Sequence, residues 1–398
     1  MSQRPLLRLA VATASAFVFG IGGMVAGIAL AIHFELGDSL VGVAMGGGFL
    51  VGIALGLLGA ARLTARWAPR ALGVGSSGLD MQSIGAALRR PDAELPPQLA
   101  DEVRNVSALA EAVRNQPKAK GRGATLLFGS LLLFLLAREP GQSMAQLALL
   151  GAVIAFHEAG HALGMMLFGY RDVRVFFVPF FGAATSGERD SAPGWQHGIV
   201  LLLGPVPGLL LAAALMAATQ AEPNSHVAQA TRTLVYLNAF NLLPVLPLDG
   251  GRLLELTVFG RHPLAEFLLR VASMLTLGLV AWGLHDWIAG AIAVFIGLGA
   301  GVNFQLARAA LAWNRSGDDS TTRLGQISDV TVAAVHALLP EKLSGKQHEL
   351  RAQLVRSVIQ RGLAARLAPG AASGAALLLA WAASLVLAVA LVALGPRS

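Results

Sequence analysis

Residues 149 to 170 read LLGAVIAFHEAGHALGMMLFGY and set His157, Glu158 and His161 in the middle of a run otherwise fit for lipid. An ionisable group at bilayer depth costs about 2.5 kcal/mol or more, so three of them within little more than one helical turn mark a working site. On a helix, positions i and i+4 share a face, so His157 and His161 can each direct a ring nitrogen at one metal ion while Glu158 flanks it. The pattern is H-E-x-x-H, in which the histidines hold zinc and the glutamate acts as a base towards water. The competing reading is a polar trio hydrogen-bonded to neighbouring helices. Ala159 and Gly160 are small and let another helix or a substrate come close.

Composition settles the solvent. Of 398 residues 55% are hydrophobic and 13% charged, and the mean hydropathy is +0.63, far from a water-soluble domain. Apolar stretches near the length of a spanning helix fall at 9 to 32, 39 to 61, 144 to 168, 196 to 218, 264 to 284, 288 to 307 and 372 to 394. Two more are less regular: 124 to 137 is short, and 233 to 259 is interrupted by prolines and by LDGGR. The expected fold is an all-α polytopic membrane protein of about nine transmembrane helices, with a small membrane-associated β-hairpin next to the zinc helix. The first span reads as an uncleaved anchor, because its apolar run outlasts a signal peptide.

Cytoplasmic flanks retain positive charge. The link HFELGD has none, whereas residues 62 to 123 hold Arg62, Arg66, Arg70, Arg89, Arg90, Arg104, Arg114, Lys118, Lys120 and Arg122. The amino terminus is therefore expected inside, the helix bearing His157 running from outside to inside, and the carboxyl terminus outside. The net charge of +7 then belongs next to anionic membrane lipid, and nothing points to nucleic acid. The absence of cysteine excludes disulfides and thiolate chemistry.

The expected organisation is two amino-terminal transmembrane helices (1–65), a cytoplasmic loop with an amphipathic helix (66–123), a membrane-embedded core with flanking helices (124–310), a cytoplasmic helical segment (311–371) and a last transmembrane helix (372–398). In the first loop Leu99, Val103, Val106, Leu109 and Val113 recur at helical spacing, a face too small for much of a core. In the second polar segment Leu350, Leu354, Val358 and Ile359 oppose Arg351, Arg356, Arg361 and Arg366. That helix either lies on the membrane surface or packs on its neighbours. GVGSSG (Gly73, Gly75, Gly78) matches a dinucleotide fingerprint by letters but lacks a βαβ setting. The acceptor triplets NVS and NRS fall in cytoplasmic segments, and Gly48, Gly52 and Gly56 form a ridge for close helix packing.

A catalytic zinc needs a third protein ligand and an open fourth position. Apart from Glu158, the carboxylate most deeply set in apolar sequence is Asp249, in NAFNLLPVLPLDGGRLLE (238–255). Pro244 and Pro247 deny that segment a regular helix, and irregular backbone at membrane depth is tolerated only where protein or a cavity buries it. Glu255 and Glu266 are rival ligands that rank lower, since both sit nearer charged sequence.

HEAGH in one membrane helix and NLLPVLPLDGG in a later one resemble the paired signatures of the site-2 proteases, the intramembrane zinc metalloproteases of the M50 class. The resemblance covers about 144 to 260 and includes LLGPVPG (202–208), where the family often has a Gly-Pro motif ending in asparagine and this chain has Gly208. It implies Zn2+ on His157, His161 and Asp249, Glu158 as the base towards metal-activated water and the donor to the leaving amine, and Asn241 orienting substrate or intermediate. It further implies a transmembrane protein substrate and a bacterial inner (cytoplasmic) membrane. Neither a PDZ nor a CBS insertion is recognisable.

Such a substrate helix must be unwound before it is cut, because it hides each carbonyl in its own hydrogen bonds. DVRVFFVPFFGAATSG, just after the zinc helix, is rich in β-branched and aromatic residues and has Pro179 at a turn or edge, so a hairpin is expected from Val173 to Gly187. Its free edge, with Phe177, Val178 and Phe180, could hold extended substrate by strand addition; the alternative is an aromatic interfacial anchor. Two other classes compete with the intramembrane protease: a membrane zinc protease cutting soluble or misfolded chains at the cytoplasmic face, and a transporter or scaffold with a non-catalytic metal.

Overall fold

The structure is a computed structural model and describes residues 97–114, 143–178, 182–189, 192–218, 225–318, 320–323, 327–340 and 348–394. In chain order the elements are α1 (Pro97–Arg114), α2 (Met144–Leu167), β1 (Arg171–Val178), β2 (Gly182–Glu188), α3 (Gly194–Leu203), α4 (Pro205–Ala218), α5 (His226–Asn241), α6 (Asp249–Thr257), α7 (Pro263–Leu284), α8 (Trp287–Arg315), α9 (Asp329–Leu338), α10 (His348–Arg366) and α11 (Ala371–Leu394), with a 3-10 turn at Phe259–Arg261.

Among the described residues five helical stretches are long and apolar enough to cross a membrane: α2, α3 with α4, α7, α8 and α11. They coincide with five of the expected spans, and their flanks expose large apolar side chains such as Phe295, Leu298 and Leu379, as lipid-facing helices do. The runs at 9–32, 39–61 and 124–137 lie outside the described residues, as do the glycine ridge and GVGSSG. The stretch 233–259 departs from the expectation of a single crossing. Helix α5 stops at Asn241, the chain turns through Pro244 and the cis Leu246–Pro247 bond, and α6 starts afresh at Asp249. Each proline removes an amide donor and blocks a helical turn, so the segment becomes two short helices joined by irregular backbone.

The chain divides into two compact units. One contains α2 to α6, the hairpin and α11. Helix α2 is its centre and packs on α3, α4, α5 and both strands, while α11, far away in sequence, packs on α3, α4, α5 and α6. Ser143 and Gln146 form a reciprocal capping box that starts α2. At its other end Gly169 takes a left-handed backbone (φ 74°), and the Tyr170 amide donates to Met165 O at 2.9 Å, which stops the helix and launches β1. The strands are antiparallel, with Val175 opposite Thr185 and Val178 opposite Gly182, and an irregularity between Arg171 and Arg174 where Asp172 has positive φ. The expected hairpin is thus present, two residues longer at its start and one at its end.

The other unit holds α1, α7, α8, α9 and α10. The two polar regions form one core: Val103 and Val106 of α1 meet Leu306, Ala310 and Trp313 of α8, Val332 and Val335 of α9, and Val355, Val358 and Ile359 of α10. The expectation that the α1 region is too small for a core holds for that helix alone and fails for the assembly. On α10, of the two open readings, the packed one is found, with a shifted face. Leu350 is exposed whereas Arg351 is buried, its guanidinium donating to the carbonyls of His336 and Leu339 and lying beside Glu102. The carbonyls freed at the end of α9 attract the charge inward, which spacing alone does not reveal.

Candidate metal centre

Helix α2 presents His157 and His161 one turn apart on its buried side. His157 Nδ1 lies 2.8 Å from Asn238 Oδ1, while Asn238 Nδ2 donates to Leu234 O at 2.7 Å. A backbone carbonyl only accepts, so the amide nitrogen must face it and the amide oxygen must face the imidazole; His157 Nδ1 therefore carries the proton. His161 Nδ1 lies 2.8 Å from Val200 O, and the same reasoning protonates it there. In the neutral imidazoles both Nε2 atoms are then lone pairs.

Those two Nε2 atoms are 3.2 Å apart, and each is 3.2 Å from Asp249 Oδ2. Asp249 Oδ2 is buried and has no hydrogen-bond donor. With both imidazoles neutral, three acceptor atoms thus face one point, an arrangement that repels itself unless a cation, a metal ion or a shared proton, occupies the centre. A tetrahedral ion with bonds of about 2.0 to 2.1 Å requires ligand atoms roughly 3.3 Å apart, so two histidines and a carboxylate at this spacing fit an ion of the zinc type. Among the described residues this is the one group of histidine and acidic side chains gathered closely enough to hold a metal.

Glycines let the elements come this close. A Cβ on Gly160 would strike the Leu203 carbonyl, and one on Gly204 would strike the His161 ring, so α2 and the α3–α4 junction cross in backbone contact over the histidines. Asp249 is carried by the broken segment, whose turn is closed by Leu248 N donating to Val245 O at 2.9 Å. The Leu242 carbonyl, freed where α5 ends, accepts from Trp381 Nε1 of α11 at 2.9 Å.

Glu158 is buried beside this centre. Its Oε2 accepts from the Thr185 hydroxyl on β2 at 2.6 Å. Of the other expected site residues, Asn241 is half-buried and donates to Leu237 O at 3.1 Å. Phe177 and Val178 lie on β1 opposite Ala183 and Gly182, and Phe180 lies outside the described residues. Of the rival ligands, Glu255 is one helical turn and a half beyond Asp249 and outside the metal-competent group, while Glu266 is engaged within its own unit by Arg270 at 3.0 Å and Arg361 at 2.7 Å.

Sequence reasoning missed Asn238, Thr185 and Trp381. Asn238 had a usable signal, since NAFN sets two amides in an apolar stretch, where an amide needs partners; in the structure Asn238 is the fully buried one. It passes close to Gly208, where a side chain would collide with its amide. Thr185 and Trp381 act across long sequence separations and leave no local pattern.

No family model matches the chain. It is 36% identical over 118 residues to stage IV sporulation protein FB of Bacillus subtilis (strain 168), covering 29% of this chain and 41% of that protein. It is 34% identical over 116 residues to sll0528 of Synechocystis sp. (strain ATCC 27184 / PCC 6803 / Kazusa), a candidate zinc metalloprotease by name, covering 28% of this chain and 30% of that protein. The aligned stretch is thus under half the length of either relative. Together with the two membrane motifs and the donor set they build, these matches support a place for the chain in the site-2 protease family.

Proposed function

We propose that this protein is an intramembrane zinc metalloprotease that hydrolyses peptide bonds within or near the transmembrane segments of membrane-protein substrates. The observation that carries the reading is the convergence of the lone pairs of His157, His161 and Asp249 beside a buried glutamate on a helix of membrane-spanning length. Zinc held by these three would supply Lewis acidity towards water and a peptide carbonyl. Glu158, one residue from a ligand, takes the proton of the attacking water and returns it to the leaving amine. Asn238 and the Val200 carbonyl keep both imidazoles in the tautomer that leaves Nε2 free. The hairpin packed on α2 offers strand edges that can hold an unwound substrate in extended form, with Asn241 at the end of α5 orienting it. The expected setting is an inner membrane with a cytoplasmic amino terminus.

The test presents the zinc-loaded protein in lipid nanodiscs with a single-span membrane protein and, separately, with an unfolded soluble chain. Mass spectrometry of the new termini should place the cuts in the apolar segment of the first. Cleavage of the soluble chain alone would favour a protease of the cytoplasmic face, and cleavage of neither would remove the enzymatic reading.

A further inference from the structure

A buried carboxylate needs donors, and among the described residues the donor given to Glu158 comes from the hairpin and not from a membrane helix. Thr185 Oγ1 stands 2.6 Å from Glu158 Oε2 and 3.2 Å from the Glu158 backbone carbonyl. The hydroxyl has one proton, and the shorter contact, to the charged acceptor, takes it. Glutamate has three side-chain torsions, so without a partner its carboxylate would sample several positions around the metal-competent group. With Oε2 engaged, the carboxylate is held in one rotamer and Oε1 is left to exchange a proton. Threonine suits the task, because its branched Cβ restricts χ1 and pre-aims the hydroxyl from a strand. Thr185 is itself fixed by pairing with Val175, and both strands pack on α2.

We propose that Thr185 is a positioning residue that locks the carboxylate of Glu158 in its working rotamer and so makes the seating of the β1–β2 hairpin a condition of proton transfer. The kinetic part of this rests on the protease reading above; the hydrogen bond between hairpin and glutamate does not. Substrate binding to the hairpin edge and readiness of the base are thereby coupled through one side chain.

The experiment has two arms, both on the full-length protein in detergent or nanodiscs. In the first, Thr185→Val and Thr185→Ser are compared with the natural protein for bound zinc, kcat and KM on a transmembrane peptide. Valine keeps the shape and removes the hydroxyl; it should retain zinc and KM within about two-fold and lower kcat roughly ten-fold or more, as loss of a charge-assisted hydrogen bond implies. Serine restores the hydroxyl and should recover most of the rate. A rise in KM at constant kcat, an unchanged kcat, or zinc loss in both variants would overturn the assignment. The second arm needs no turnover: hydrogen exchange of amides 182–188 is measured in Thr185→Val, Glu158→Leu and the double variant. Each single change should speed exchange several-fold, and the double variant should add nothing, because both remove the same bond. Additive effects, or none, would overturn the latch. If the natural protein cuts nothing, the protease reading falls while the exchange arm still decides this one.

Discussion

Asn238 is the residue on which the donor set turns. Its amide is oriented by Leu234 O, and that orientation makes His157 a ligand rather than a hydrogen-bond donor at Nε2. Removing such an outer partner typically lowers metal affinity by about 10- to 100-fold. Asn238→Leu is therefore expected to release zinc to a competing chelator at correspondingly lower chelator concentration, whereas Asn241→Leu, whose amide donates to Leu237 O, should leave zinc affinity near its natural value. Equal losses in both variants would mean that the tautomer is set elsewhere. His157, Glu158, His161 and Asp249 were legible in the sequence because ionisable groups are conspicuous against apolar neighbours. Asn238 was overshadowed by Asn241 three residues on, since both are amides on one stretch of α5 and only the packing against α2 shows which of them is fully buried.

At the scale of elements, the hairpin and the broken segment were both readable from composition. β-branched and aromatic residues around Pro179 foretold β1 and β2, and the prolines of 238–255 foretold irregular backbone. What composition could not convey is that the broken segment makes two short helices instead of one span, or that Trp381 of α11 supplies the donor its freed carbonyl needs. If a hairpin edge holds substrate, Val178→Pro or Phe180→Pro should impair cleavage of a stable transmembrane helix without displacing zinc, with Phe177→Ala as the control for lost aromatic packing. A backbone hydrogen bond contributes about 0.5 to 1.5 kcal/mol, so the rate should fall several-fold. A substrate already weakened by helix-breaking residues should suffer less. Natural rates in both proline variants would leave the aromatic-anchor reading in its place.

For the molecule as a whole, helical periodicity found α1 and α10 but not that they share a core, because nothing local in either segment encodes a partner more than 200 residues away. That core closes around Trp313, which is fully buried, lies under the Arg366 guanidinium at 4.5 Å and donates to Asp318 at 2.9 Å. Burial pushes the Asp318 carboxyl up, but hydrogen bonds from Ser320, Trp313 and Thr331 outweigh it and hold the carboxyl below its ordinary value. A depressed folded-state pKa contributes stability that is fully present above about pH 4 and is lost as pH falls through the lower, folded value. Acid titration followed by tryptophan fluorescence should show this unit loosening in that window. Asp318→Asn should flatten the pH dependence and cost about 1 to 3 kcal/mol at neutral pH. A pH profile unchanged by the substitution would take Asp318 out of that role.

The central claim is that α2 and the broken segment together build a catalytic zinc site, and zinc stoichiometry measured alongside cleavage tests it most directly. The natural protein should bind one zinc per chain and cut a transmembrane substrate. Asp249→Ala should lose most of the zinc, because a ligand is gone. Glu255→Ala should keep it, and Glu158→Gln should keep it while losing cleavage, because the amide retains the shape and cannot accept the proton. Full zinc occupancy in Asp249→Ala, or near-natural cleavage in Glu158→Gln, would contradict the claim.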